Sequence, residues 1–161
     1  MSNQVNPAPR LSPPQGHLQV SVDGAGRLNT PTVAQAYFAA HGVEEFFVTT
    51  LDERIALIYP LSVWLQHIQT MAATPGKAAA AHRLSFLGNA NGSEVKMDKT
   101  GRILLPANLR AKIPMEKQTV VLSFYGGYAK LMTQPVYEAE LQSFKGSLAE
   151  DLEALRDMGI Y

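Results

Sequence analysis

Leu18, Val20 and Val22 alternate with Gln19 and Ser21, the period of a strand with one buried face. Asp23-Gly24-Ala25-Gly26 then reads as a turn, because Asp can accept nearby amide hydrogens and Gly tolerates positive φ. Leu28 opens a second short strand that Pro31 ends, and Thr30 is placed to cap a helix running to Ala40, with His41-Gly42 closing it. Glu45 to Thr49 and Arg54 to Tyr59 predict a hairpin turned at Leu51-Asp52-Glu53. Leu61, Trp64, Leu65 and Ile68 mark one stripe of a helix to Met71. Thr74-Pro75-Gly76 breaks the chain, Lys77 to Leu87 is an alanine-rich helix, and Gly88 to Gly92 reads as a loop.

The same order then recurs. Strands are expected at Ser93 to Met97 and Ile103 to Leu105, and a helix from Pro106 to Ile113. A hairpin at Gln118 to Phe124 and Tyr128 to Met132 follows, turned by Gly126-Gly127, with an exit helix from Pro135 to Phe144. Ser147 to Met158 adds an amphipathic helix in which Ser147 and Glu150 have capping-box spacing. The recurrence extends to residues. Val22-Asp23-Gly24-Ala25-Gly26-Arg27-Leu28-Asn29-Thr30-Pro31 returns seventy-five positions later as Met97-Asp98-Lys99-Thr100-Gly101-Arg102-Ile103-Leu104-Leu105-Pro106. The same offset pairs Pro60 with Pro135, which reads as a gapless duplication over about fifty residues, too long a period for a solenoid unit. The expected layout is a disordered Pro-rich tail over 1–16, repeat one over 17–71, a linker helix and loop over 72–92, repeat two over 93–144 and a C-terminal helix over 145–161.

Fourteen basic and fourteen acidic side chains cancel in the 161 residues, so net charge points to no partner. Its distribution says more. Repeat one carries Arg27 and Arg54 against five acids, whereas repeat two carries seven basic residues, including Lys96, Lys99, Arg102 and Arg110. The chain has no cysteine, which excludes disulfides and thiol chemistry, and no apolar run of membrane-spanning length. A cytoplasmic protein is expected, with no membrane partner. The four histidines share no metal-ligand spacing with carboxylates, no serine sits in a nucleophile elbow, and Gly24-Ala25-Gly26 lacks the third glycine of a dinucleotide loop. These absences argue against an enzyme, and neither a cofactor nor a metal is expected.

Arg27 and Arg102 leave tight turns at strand starts, so the backbone fixes where each points. Guanidinium groups held in this way suit bidentate contact to guanine or to phosphates. Asp23 and Asp98 can orient them, with Gly26 and Gly101 supplying the turns; the same pairs can equally form salt bridges that only pin each hairpin. Lys96 and Lys99 read as phosphate contacts or as solvated strand residues. Arg110 reads as a contact or as part of a solvated helix face with Asn108 and Lys112.

Element order and the duplicated Asp-x-x-x-Arg turn together resemble the MraZ family of bacterial transcriptional regulators, over nearly everything from Leu18 to Met158. The resemblance implies an α+β, β-rich fold of two tandem SpoVT/AbrB-type (double-split β-α-β) repeats related by a pseudo-twofold, with connecting and C-terminal helices. It further implies sequence-specific binding of double-stranded DNA by a nucleoid-associated homo-oligomeric ring on spaced promoter repeats. The chain departs from the family in three places. It carries some sixteen extra N-terminal residues, has Ala25 where a lysine is usual, and has Val33 and Gln35 where basic residues are expected. An alternative is therefore a ring-forming interaction scaffold with reduced or lost DNA binding.

Overall fold

Each strand of the first repeat finds an antiparallel partner in the second, and this interleaving organises the molecule. A computed structural model describes residues 11–159; most of the tail expected over 1–16, residues 1–10, lies outside the described residues. The first repeat comprises β1 (Leu18–Val22), β2 (Arg27–Asn29), α1 (Thr32–Ala40), β3 (Glu45–Thr50), β4 (Ala56–Pro60) and α2 (Leu61–Ala73). Helix α3 (Ala78–Asn91) links it to β5 (Ser93–Lys96), β6 (Arg102–Leu104), α4 (Ala107–Lys112), β7 (Gln118–Tyr125), β8 (Tyr128–Met132) and α5 (Gln134–Gly146). Helix α6 (Leu148–Leu155) and a 3-10 turn (Arg156–Met158) follow. The fold is α+β and rich in sheet.

The eight strands form one sheet in the order β5-β3-β4-β8-β7-β1-β2-β6, with every pairing antiparallel. Its two edge strands run beside one another, so the sheet is almost closed into a barrel. Inside lie Val20, Val22, Leu28, Phe46, Val48, Ile58, Ile103, Val120, Leu122 and Leu131, together with Ala34 and Phe38 of α1 and Leu109 of α4. Alternation explains which residues these are, since β1 turns Val20 and Val22 inward and Gln19 and Ser21 outward. Strands β3 and β4 are buried on both faces. Phe47, Leu57 and Tyr59 face the opposite way and pack with Trp64 of α2 as a second apolar cluster.

The registers correct the gapless duplication. Leu18 pairs with Leu122, and its counterpart Ser93 pairs with Val48, which makes Leu122 the equivalent of Val48, seventy-four positions on. Val48 pairs with Ile58 and Leu122 with Leu131, an offset of seventy-three. The counterpart of Pro60 is thus Thr133, each standing just before its exit helix, and not Pro135. One residue drops out between the motif and the second hairpin, and another within the hairpin turn, since nine residues separate the paired Val48 and Ile58 and eight separate Leu122 and Leu131.

Four local expectations also change. Pro31 is the last residue before α1, which puts Thr30 one position too early to cap; its hydroxyl is buried without a partner and its N–H donates to Gly101 O. Ser147 makes no side-chain cap to α6. Residues Gly88 to Asn91, expected as a loop, continue α3, because Gly88 lets the helix lie directly against the Trp64 ring and its carbonyl accepts from Thr49 Oγ1 at 2.6 Å. At the other end, Pro14 is buried and Leu11 O bonds His41 Nε2 at 2.8 Å, so the last residues of the Pro-rich segment lie against the body of the protein.

Candidate nucleic-acid interface

The two motif strands meet at the pseudo-twofold. Strands β2 and β6 pair with Arg27 opposite Leu104, Leu28 opposite Ile103 and Asn29 opposite Arg102. Leu28 and Ile103 point into the core at 1% exposure each. The alternation therefore sends Arg27, Asn29, Arg102 and Leu104 to the outer face, with the arginines on one diagonal. Diagonal neighbours on a ladder lie about 7–8 Å apart, roughly two base-pair steps.

Each arginine follows a turn built the same way. Asp23 Oδ1 accepts from the N–H groups of Ala25 and Arg27, both at 2.9 Å, and Asp98 Oδ1 does the same for Thr100 and Arg102. Gly26 and Gly101 close the turns at φ +84° and +78°, conformations that cost other residues a steric penalty. These bonds hold both carboxyls below the ordinary aspartate range. For each, the arginine backbone N–H is the largest cause; for Asp98 the Thr100 hydroxyl and Arg102 side chain add to it.

The two turns also interlock. Leu105 N–H donates to Gly26 O and Thr30 N–H to Gly101 O, so each repeat's motif is tied to the end of the other's motif strand. What the aspartates do with their second oxygen differs. Asp98 Oδ2 accepts from Arg102 Nε at 2.9 Å, and the Arg102 side chain stays 35% exposed. Arg27 is exposed and its side chain makes no hydrogen bond or ion pair among the described residues.

The remaining candidates divide. Lys99, in the second turn, is exposed and unpaired among the described residues. Lys96 faces Glu45 across the β3–β5 ladder at 3.7 Å, with its side chain 75% exposed. Such an exposed pair contributes little. Arg110 is turned to internal bonds: its Nε donates to Leu105 O at 2.9 Å and its Nη1 meets Glu116 Oε1 at 3.3 Å. Lys117 was not singled out by sequence reasoning. Its aliphatic stem lies against Gly24, where an added Cβ would come 3.1 Å from Cε, and its N–H donates to Val22 O. The second repeat thus sets a cation beside the first repeat's turn, which has only Gly24, Ala25 and Gly26 between Asp23 and Arg27. Only the position of Lys117 just before a strand hinted at this, and its φ of +58° is invisible in sequence.

Among the described residues no group of three or more His, Asp or Glu could hold a metal ion, and no helix is long and apolar enough to cross a membrane.

The family model of the MraZ protein, an antitoxin-like family, matches residues 88–126, from the end of α3 through the second motif to the β7–β8 turn. A protein of Marinomonas sp. (strain MWYL1) called transcriptional regulator MraZ is 33% identical over 149 residues, covering 91% of this chain and 97% of its own. One of the same name from Delftia acidovorans is 33% identical, with 78% and 85% covered. Another, from Acidobacterium capsulatum, is 29% identical, with 91% and 99% covered. Similarity at this level over almost the whole of both chains joins the motif, its duplication and the interleaved sheet into one assignment: the chain belongs to the MraZ family.

Proposed function

We propose that the protein is a sequence-specific DNA-binding transcriptional regulator. The reading is supported by the relatives, which are named as transcriptional regulators. The observation that carries it is the outward diagonal of Arg27 and Arg102 on a two-stranded ribbon whose backbone is locked by two Asx turns. A ribbon of this width enters the major groove; its locked backbone fixes where both arginines start, and Asp98 holds the Arg102 side chain as well. Asn29, held by a bond from its Nδ2 to Ser21 Oγ at 2.8 Å, offers its remaining amide valences to a base edge, while Leu104 offers an apolar contact suited to a thymine methyl. Lys99, Lys117 and the weakly paired Lys96 flank this face and serve as phosphate contacts.

One face carries little charge, so useful affinity comes from repetition. We infer a homo-oligomer, ring-shaped and set on spaced promoter repeats. Exposed apolar side chains on the outer helices are material for its interfaces: Leu65 of α2, Phe86 and Leu87 of α3, Phe144 of α5 and Leu148 of α6. Linked weak sites then gain avidity without further contacts. A scaffold that keeps the ring and has lost DNA contact is the second reading, favoured by Ala25 and by the net charge of zero.

Fluorescence anisotropy with the chain's own upstream DNA separates the two. Arg27→Ala and Arg102→Ala are each expected to weaken binding by roughly tenfold to a hundredfold. The affinity is also expected to fall with salt at a log–log slope of about −2 to −4 per engaged subunit. If both substitutions leave binding unchanged, the DNA reading fails.

A further inference from the structure

Gly26 is tight for a reason beyond its φ. A Cβ added there would lie 2.5 Å from both Cδ and Nε of Arg110, so the Arg110 side chain passes directly across the first repeat's turn. The pseudo-symmetric position is Gln35, which crosses Gly101 in the same manner and donates its Nε2 to Thr30 O at 2.8 Å. Thr30 is the counterpart of Leu105, whose carbonyl receives Arg110 Nε. Arginine and glutamine thus fill one structural role in the two repeats, each sealing the other repeat's motif turn with a side-chain N–H to its own motif strand. Arg110 is fixed further by Glu116, whose other oxygen accepts from Met115 N–H at 3.2 Å and whose carboxyl is held below its ordinary range, first by its own backbone N–H.

We propose that Arg110 is a positioning residue of the DNA-binding face: it braces the turn that presents Arg27 and does not itself touch DNA. The proposal rests on the reading that Arg27 contacts the duplex. It makes the first repeat's contact depend on the second repeat's helix α4, and gives the charge of Arg110 no part in binding beyond its hydrogen bonds.

The test uses the full chain with Arg110→Gln, Arg110→Ala, Arg27→Ala and the Arg27→Ala/Arg110→Ala double variant. Amide hydrogen exchange at Arg27 and Leu105 is measured without DNA, and binding to the upstream duplex is measured across a salt series. Arg110→Gln, which installs the first repeat's own solution, is expected to bind within about twofold of the parent with the same salt slope. Arg110→Ala is expected to exchange faster at both amides while distant core amides stay protected, and to bind roughly tenfold more weakly. In the Arg27→Ala background it is expected to add nothing, because it acts through that residue. A salt slope reduced by about one in Arg110→Gln identifies a direct phosphate contact and overturns the proposal while leaving DNA binding intact. Additive losses in the double variant overturn it too. If the parent binds no duplex, the functional reading fails by itself, and exchange still decides whether the brace exists: unchanged rates at Arg27 and Leu105 in Arg110→Ala overturn it.

Discussion

The aspartate of each motif acts as a turn builder before it acts as a charge. Asp98 accepts two backbone N–H groups and the Thr100 hydroxyl on one oxygen and leaves the other to Arg102. The side chains of this ion pair are 38% and 35% exposed, so solvent screens their attraction and the backbone bonds do the anchoring. The sign of the pH effect follows. A carboxyl whose folded pKa is depressed stabilises the fold fully above its unfolded value, here 3.8, and loses that contribution as pH falls through the lower folded value. Melting temperature is therefore expected to be insensitive to Asp98 near neutrality and to drop on acidification below about pH 4. Asp98→Asn, which keeps an acceptor oxygen but cannot titrate, should flatten that acid limb in thermal melts. An acid limb identical in parent and variant would show that Asp98 contributes nothing to it. Asp23 is depressed by the same backbone bond and adds to the same limb.

At the level of elements, periodicity and turn residues located all eight strands to within a residue or two: alternation marked β1, which has one face on the core, and apolar runs bounded by turn residues marked β3 and β4, which are buried on both faces. What it missed were the places where tertiary contact overrides local chemistry. Gly88 reads as a helix breaker, yet it sits inside α3 because Trp64, stacked on Phe47 at 4.8 Å, occupies the space a side chain would need. The diagonal of Arg27 and Arg102 was half visible: the duplicated motif named both residues, but only the β2–β6 register shows that they share one face. Arg110 was named and its destination was not, since nothing in the spacing says that it folds back over the opposite turn. Gly88→Ala weighs the two effects directly. Alanine gains about 1 kcal/mol of helix propensity, but its Cβ would stand 2.7 Å from Trp64 Cη2, and overpacking against a rigid ring costs about 1–3 kcal/mol. The clash is expected to win, lowering the melting temperature by a few degrees, about 2–4 °C per kcal/mol for a chain of this size. A variant that melts higher than the parent would mean that α3 yields.

At the level of the whole molecule, the repeats of the sequence are not the folding units. Strand β1 pairs with β7, β2 with β6, β3 with β5 and β4 with β8, so the sheet and the core inside it exist only when both repeats are present. A single repeat would expose the inner face of its strands to water on its own, with a core too small to offset the ordering of the chain. The segment from Thr74 to Lys77 that joins α2 to α3 is exposed and lies outside the sheet, so its continuity contributes little once the strands have paired. Peptides spanning 11–74 and 77–159 are accordingly expected to be unfolded when separate, with collapsed amide dispersion in NMR spectra. Mixed in equal amounts, they are expected to recover native dispersion and a cooperative melt, at lower stability because association is now bimolecular. A full chain cut by a protease site inserted at Pro75-Gly76 should elute as one species and keep its melt. If either peptide folds alone, the interleaved pairing is not what holds the molecule together. The same experiment bears on function: a first repeat that cannot fold without the second cannot present Arg27, so the two arginines enter any interaction as one rigid pair.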